Sequence, residues 1–151
     1  MTLLGQRFAI LGIAFFLVLS LFAPRVQAGA YEAELPAELA TAKDMCALLP
    51  CAEVFPGAKY FSERKGQPPY VEAYDNDTAQ KKLLGYVMLS TDITDTPAYS
   101  GKPVVTLIGM DTAGKFVGVQ VLTHSEPILL LGSPESALVN FINQYRGKSV
   151  K

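Results

Sequence analysis

His124 is the only histidine in the 151 residues, and it opens a short polar run, His124-Ser125-Glu126-Pro127, directly after an apolar stretch. An imidazole at a loop end serves either as a ligand-contacting group or as a hydrogen-bonded structural one, and its type alone does not choose between them. Glu126 has the same two readings: a carboxylate beside a ligand, or a partner for backbone amides of its own loop or for the start of a following helix. Ile128 to Leu131 adds an apolar run, so this loop has one greasy and one polar rim. A second segment, residues 92–103, interleaves the hydroxyls of Thr94, Thr96, Tyr99 and Ser100 with Pro97 and Pro103. Together they offer what a planar ring ligand needs, an apolar slot with a few fixed hydrogen-bonding groups.

Other constellations carry less. Asp92 and Asp95 have the spacing of an acid pair, but they stand among turn formers and read as a solvated, Asx-rich loop. Two thiols and one imidazole are too few for a closed zinc site. No glycine-rich phosphate loop, Ser-His-Asp set or HExxH run occurs, so hydrolytic mechanisms find no support and no catalytic residue is assigned. Cys46 and Cys51, the only cysteines, flank Ala-Leu-Leu-Pro. Five positions do not align them on one helix face, but a break at Pro50 folds the second back toward the first, and an exported chain with two cysteines can close one disulfide.

The elements that must position these groups are short. Pro36 opens a helix whose apolar positions, Leu39, Ala42, Met45 and Cys46, run to Leu49, where Pro50 ends it. A second turn or helix spans Cys51 to Gly57, and a strand follows from Lys59 to Arg64. Lys65 to Pro69 is a turn, because tandem proline removes two ladder donors. Strands are expected over Tyr70–Tyr74 and Leu83–Leu89, then a hairpin of Val104–Met110 and Phe116–Thr123 turning at Asp-Thr-Ala-Gly. Ile108 is read as a core position of its strand, and Tyr60, Tyr70, Tyr74 and Tyr86 as core or rim aromatics. A last helix, Pro134–Tyr145, puts Leu138, Phe141, Ile142 and Tyr145 on one face. Five strands, mostly following one another, with flanking short helices, imply an α+β domain with an antiparallel sheet.

The N-terminus sets the compartment. Arg7 ends a short basic leader, Phe8 to Ala23 is an apolar run of 16 residues broken only by Gly12 and Ser20, and Val26-Gln27-Ala28 supplies small residues for cleavage. A run shorter than the roughly 20 residues that span a bilayer favours a signal peptide over residues 1–28, with an uncleaved signal anchor as the alternative. Both place residues 29–151, one domain, in the periplasm, free or held at the inner membrane. Losing residues 1–28 takes Arg7 and Arg25 and no acid from 13 basic and 14 acidic residues, leaving a net charge of −3. Such a surface has no general attraction for phosphate backbones, so nucleic acid is not an expected partner.

Asp111, Gly114, Gly118, Val119, Val121, His124 and Glu126 fall on the pattern D-x-x-G-x-I-x-G-V-x-V-x-x-H-x-E-T-P-G-L-G, whose ending is replaced here by Pro-Ile-Leu-Leu-Leu-Gly. In this the hairpin resembles the FMN-binding domain family of the Rnf complexes and sodium-pumping quinone reductases. With residues 91–103 upstream and His-Ser-Glu-Pro-Ile-Leu-Leu-Leu-Gly-Ser-Pro-Glu downstream, it is more similar still to the NosR/NirI group, membrane-anchored flavoproteins serving nitrous oxide or nitrite reduction. The resemblance implies a flavin-binding fold over residues 45–147, FMN as cofactor, and a site built from His124, Ser125, Glu126, Pro127, Thr94 and Tyr99. It implies a membrane electron-transfer or regulatory partner, with nitrous oxide reductase as the enzyme served. The family's Ser-Gly-Ala-Thr acceptor for covalent FMN does not occur in the chain, so the resemblance implies either a member truncated at its C-terminus or a stand-alone relic. FMN would then be held non-covalently or be absent, and a flavin-free sensor or interaction domain signalling through a membrane partner stays open as the alternative.

Overall fold

The computed structural model describes residues 35–150, so the proposed signal peptide, residues 1–28, lies outside the described residues. Five strands form one antiparallel sheet in the order of the chain: β1 (Tyr60–Phe61), β2 (Val71–Tyr74), β3 (Leu83–Leu89), β4 (Val105–Asp111) and β5 (Phe116–Thr123). Among the described residues four short α-helices accompany it: α1 (Cys51–Val54), α2 (Ser90–Ile93), α3 (Pro127–Leu130) and α4 (Glu135–Asn143). The expected α+β architecture with an antiparallel five-stranded sheet is therefore the one observed.

Alternation along the strands gives the sheet one dry face. Val71 and Ala73 of β2, Val87 and Leu89 of β3, and Val105 and Leu107 of β4 are buried on it, while the residues between them are half-buried on the other side. Ile108 is one of those in-between residues; the core position is its neighbour Leu107, fully buried, because the pleat turns consecutive side chains to opposite faces. The dry face is covered by residues 39–58, which contribute Leu39, Met45, Leu49, Cys51, Val54 and Phe55.

The close approach of that cover depends on glycine. Gly109 of β4 and Gly118 of β5 stand opposite one another, and the carbonyl of Val54 lies directly over both. A Cβ at Gly109 would sit 2.4 Å from that oxygen, and one at Gly118 would sit 2.5 Å from it. The two bare positions make a flat floor on which the end of α1 rests.

Several boundaries differ from those expected. The first helix is instead two 3₁₀ turns, Ala37–Ala40 and Met45–Ala47, the second capped by Asp44, whose side chain accepts from the Ala47 N–H at 3.0 Å. A cap residue in mid-segment stops one helix and starts another, although Leu39 and Met45 still reach the core. The strand expected at Lys59–Arg64 pairs over two residues, since the Arg64 N–H turns away to the Lys43 carbonyl. Helix α4 stops at Asn143, and of its expected apolar face Leu138 and Ile142 are half-buried while Phe141 is 55% exposed. Tyr145 lies past the helix and packs its ring against Phe116 and Phe141. The tyrosines are rim groups: Tyr70 and Tyr86 meet edge to face, and Lys81 sits over the rings of both Tyr60 and Tyr74.

Cys46 and Cys51 are joined, with an S–S distance of 2.04 Å, and Pro50 stands between the second 3₁₀ turn and α1 as the hinge that brings them together. Among the described residues no helix is long and apolar enough to cross a membrane.

Candidate functional site

Strand β5 ends at Thr123, and the chain then dips inward, leaving His124 and Glu126 buried. The imidazole Nδ1 accepts the Glu126 backbone N–H at 3.2 Å, which puts the proton of the neutral ring on Nε2. Pro127 occupies the first position of α3, where its missing N–H costs nothing. Ser125 is half-buried between the two anchors.

Glu126 ties two distant segments together. Its Oε1 accepts the backbone N–H of Ser100 at 3.0 Å, a contact spanning 26 positions. The Ser100 backbone N–H, then the Ser100 hydroxyl and the Tyr99 backbone N–H, hold its carboxyl below the usual carboxylate range, against the opposing effect of burial. Its side chain does not cap α3. Of its two structural readings, bonding to backbone amides is the observed one, but the amides belong to the 92–103 loop rather than to its own.

That loop is anchored at three points. At its root Asp92 is not solvated: it ends in an ion pair with Arg64, whose Nη1 also donates to the Leu39 carbonyl at 2.8 Å. Asp92 belongs to α2, so the Asx-rich loop expected there starts only after Ile93. The Ser90 hydroxyl donates to the Val104 carbonyl at 3.2 Å and accepts from the Thr106 N–H at 3.0 Å, closing the base. At the tip Gly101 turns back with φ +78°, and the Ser100–Glu126 bond secures the segment to the histidine loop.

Between the two loops opens an apolar cleft of about 550 Å³. Its walls are Tyr99 on one side and Pro127, Ile128 and Leu131 on the other, with Glu126, Gly132 and Ser133 completing the lining. Tyr99, Ile128 and Leu131 are 91%, 74% and 86% exposed, unusual for three large apolar groups around one cleft. Of the residues singled out in the sequence, Tyr99, Glu126 and Pro127 line this cleft, and His124 braces it from beneath through Glu126. Thr94 does not line it; its hydroxyl pairs with that of Thr96 at 2.7 Å at the exposed start of the loop. Sequence reasoning missed Arg64 and Ser90, which set the loop's root, because nothing local distinguishes a half-buried, paired arginine from a surface one.

Fold and site together define a small α+β module whose sheet meander presents a carboxylate-braced apolar cleft for a ligand or partner. The relatives it matches are more particular. The chain is 35% identical over 138 residues, 90% of its length, to the regulatory protein NosR of Stutzerimonas stutzeri. It is 38% identical over 96 residues, 64% of its length, to the regulatory protein NosR of Pseudomonas aeruginosa, and 30% identical over 66 residues, 44% of its length, to the protein NirI of Paracoccus denitrificans. The matched regions span 16%, 13% and 10% of those proteins, so the likeness is of NosR/NirI type but to a small part of each. No protein-family model and no solved structure matches the chain.

Proposed function

We propose that this chain is the exported, periplasmic flavin-binding module of a NosR-type accessory protein, serving the expression, maturation or electron supply of nitrous oxide reductase through a membrane partner. The likeness to proteins named as NosR regulators supports the accessory role, and the cleft between residues 99 and 133 is the observation that carries the flavin.

The residues present fit the ring half of FMN. Tyr99, Pro127, Ile128 and Leu131 can sandwich a planar tricycle, and the cleft lies within the size range of small-molecule sites. They fit the phosphate less well, since no lysine or arginine is among the lining residues. Bound there, the flavin would supply one- and two-electron redox chemistry, and the protein supplies placement and electrostatics. His124 fixes the Glu126 backbone, and Glu126 fixes Tyr99 through the amide of Ser100. The carboxylate, held ionised by those donors, opposes the build-up of negative charge on a ring beside it.

The test is reconstitution with FMN and with riboflavin. Both should bind alike, because the cleft offers the phosphate no cation, and acid should release all of the flavin. Glu126→Gln should raise the reduction potential of the bound flavin, and Leu131→Ala should weaken retention. If Glu126→Gln and His124→Ala both leave spectrum, potential and occupancy unchanged, the loop is not the flavin site. If neither flavin binds at all, the exposed cleft is read as the contact surface of a flavin-free interaction domain.

A further inference from the structure

A second cleft, of about 460 Å³, lies between β5 and α4, with Glu53 and Val54 of α1 as its third side. It shares no lining residue with the first and does not depend on the function proposed above. The whole run 119–122 of β5 lines it. Consecutive strand residues point to opposite faces, so a cleft that meets four in a row meets the strand along its edge.

That edge is the outer one of the sheet, because β5 stands last in the strand order. The Thr106 N–H bonds the Ser90 hydroxyl, on the β3 side, so Thr106 and Val121 opposite it turn their backbone polar groups away from each other. Val119, two residues earlier in β5, is turned outward with Val121. No strand among the described residues pairs with these groups, and an open edge of this kind accepts an added strand. The start of the same edge is already taken. Residues 147–150 lie antiparallel against it: the Phe116 N–H donates to the Lys148 carbonyl at 3.0 Å, the Gly147 N–H to the Phe116 carbonyl at 2.7 Å, and the Val150 N–H to the Gly114 carbonyl at 3.1 Å. Gly147, with φ +78°, is where the chain leaving α4 turns onto the edge. With α4 as the facing wall, the gap takes a single strand and not the edge of a second sheet.

We propose that this cleft receives the free C-terminal end of a partner polypeptide as a sixth strand. Running antiparallel to β5, that end enters past Leu122 and lays its backbone on Val119 and Val121. It must stop there, because residues 147–150 hold the edge from Phe116 on. Arg146 lines the cleft, directly precedes Gly147 and makes no ion pair among the described residues, so its guanidinium stands where the terminal carboxylate arrives. Val139 and Ile142 of α4 offer apolar contact, which suits apolar side chains at alternate positions of the partner, and Glu53 on the α1 side disfavours an acidic one there.

Selection from a pool of random heptapeptides, offered to the full chain with free C-termini and, separately, as C-terminal amides, tests the proposal. The free acids should be retained, with apolar residues at alternate positions, and the same sequences as amides should bind about tenfold more weakly, the loss of one charge-assisted contact. With the best retained peptide bound, hydrogen exchange at the Val119 and Val121 amides should slow at least tenfold, while Ser100, beside the other cleft, is unchanged. Arg146→Gln, at an exposed position, should weaken the free acid about tenfold and bring it level with the amide. The proposal is overturned if no peptide is retained, if acids and amides bind equally, or if exchange slows at Ser100 rather than at Val119 and Val121. It is overturned as well if those two amides become protected as the concentration of the chain alone rises, the result expected of a second copy pairing at this edge.

Discussion

Val54 and Glu126 hold two segments against the same sheet by opposite means. Val54 does it by close packing: its carbonyl rests on Gly109 and Gly118, its side chain is 1% exposed, and the disulfide and the buried apolar residues around it fix the rest of the 39–58 cover. Glu126 does it by polar ties: one carboxylate oxygen on the Ser100 amide, with the Arg64–Asp92 pair and the Ser90 hydroxyl at the loop's root. Packing is sensitive to volume and indifferent to proton concentration; hydrogen bonds to a carboxylate are the reverse. The half of the molecule that makes the fold and the half that makes the cleft should therefore fail under different perturbations.

The largest effect should come from volume in the core. Leu107→Ala should cost about 2–5 kcal/mol, measured by chemical denaturation, because the cavity forms beneath the fixed cover. Ile108→Ala, on the half-buried face, should cost clearly less. Equal losses at the two neighbours would remove the distinction between a dry face and a wet one. Adding volume tests the same floor: Gly109→Ala should cost about 1–3 kcal/mol, since the new methyl must push back a backbone carbonyl rather than a flexible side chain.

The crosslink comes next. Replacing Cys46 and Cys51 together by serine should cost about 2 kcal/mol, the loop-closure value for so short a span. In periplasmic extract neither thiol should alkylate until a reductant is added. The cleft between residues 99 and 133 should keep its ligand behaviour in the serine variant, since the polar ties that form it lie elsewhere. A parallel loss would show that cover and cleft are one unit.

The division also explains what could be read from the chain. Strand β3 was legible to the residue because its apolar alternation is long and undisturbed; β5, whose burial does not alternate and whose pairing slips twice, was legible from the turn before it and the polar histidine run after it. The first helix was misread because Asp44 captures the Ala47 amide, a local competition that helical periodicity does not register. Ile108 was misplaced by one position, which in a strand exchanges the faces. Glu126, Pro127 and Tyr99 could be chosen for one cleft because they sit in adjacent loops of contrasting polarity, whereas Thr94, chosen on its hydroxyl alone, bonds to Thr96 instead. Arg64 was invisible, because its significance lies in its partners, the Asp92 carboxylate and the Leu39 carbonyl, which distant segments supply.

The smallest effect should be the most specific to the cleft. Glu126 has its carboxyl held below the ordinary value near 4.5 chiefly by the Ser100 amide, so the folded state binds a proton there less readily than the unfolded chain. The stabilisation is then complete above the unfolded value and is lost as pH falls through the lower, folded one. Glu72, depressed by Lys65 and the Tyr74 hydroxyl, behaves the same way on β2, so global acid stability alone cannot isolate the loop. Amide exchange can. As pH falls below about 4.5, the protection factor of Ser100 should drop before that of Leu107, whose shelter comes from packing. In Glu126→Ala the Ser100 amide should be poorly protected at every pH while Leu107 is unchanged. Glu126→Gln should fall between, since a neutral carboxamide oxygen still accepts the bond but no longer titrates. Loss of protection at both amides together, at one pH, would mean that the carboxylate supports the whole sheet and that the cleft has no separate stability of its own.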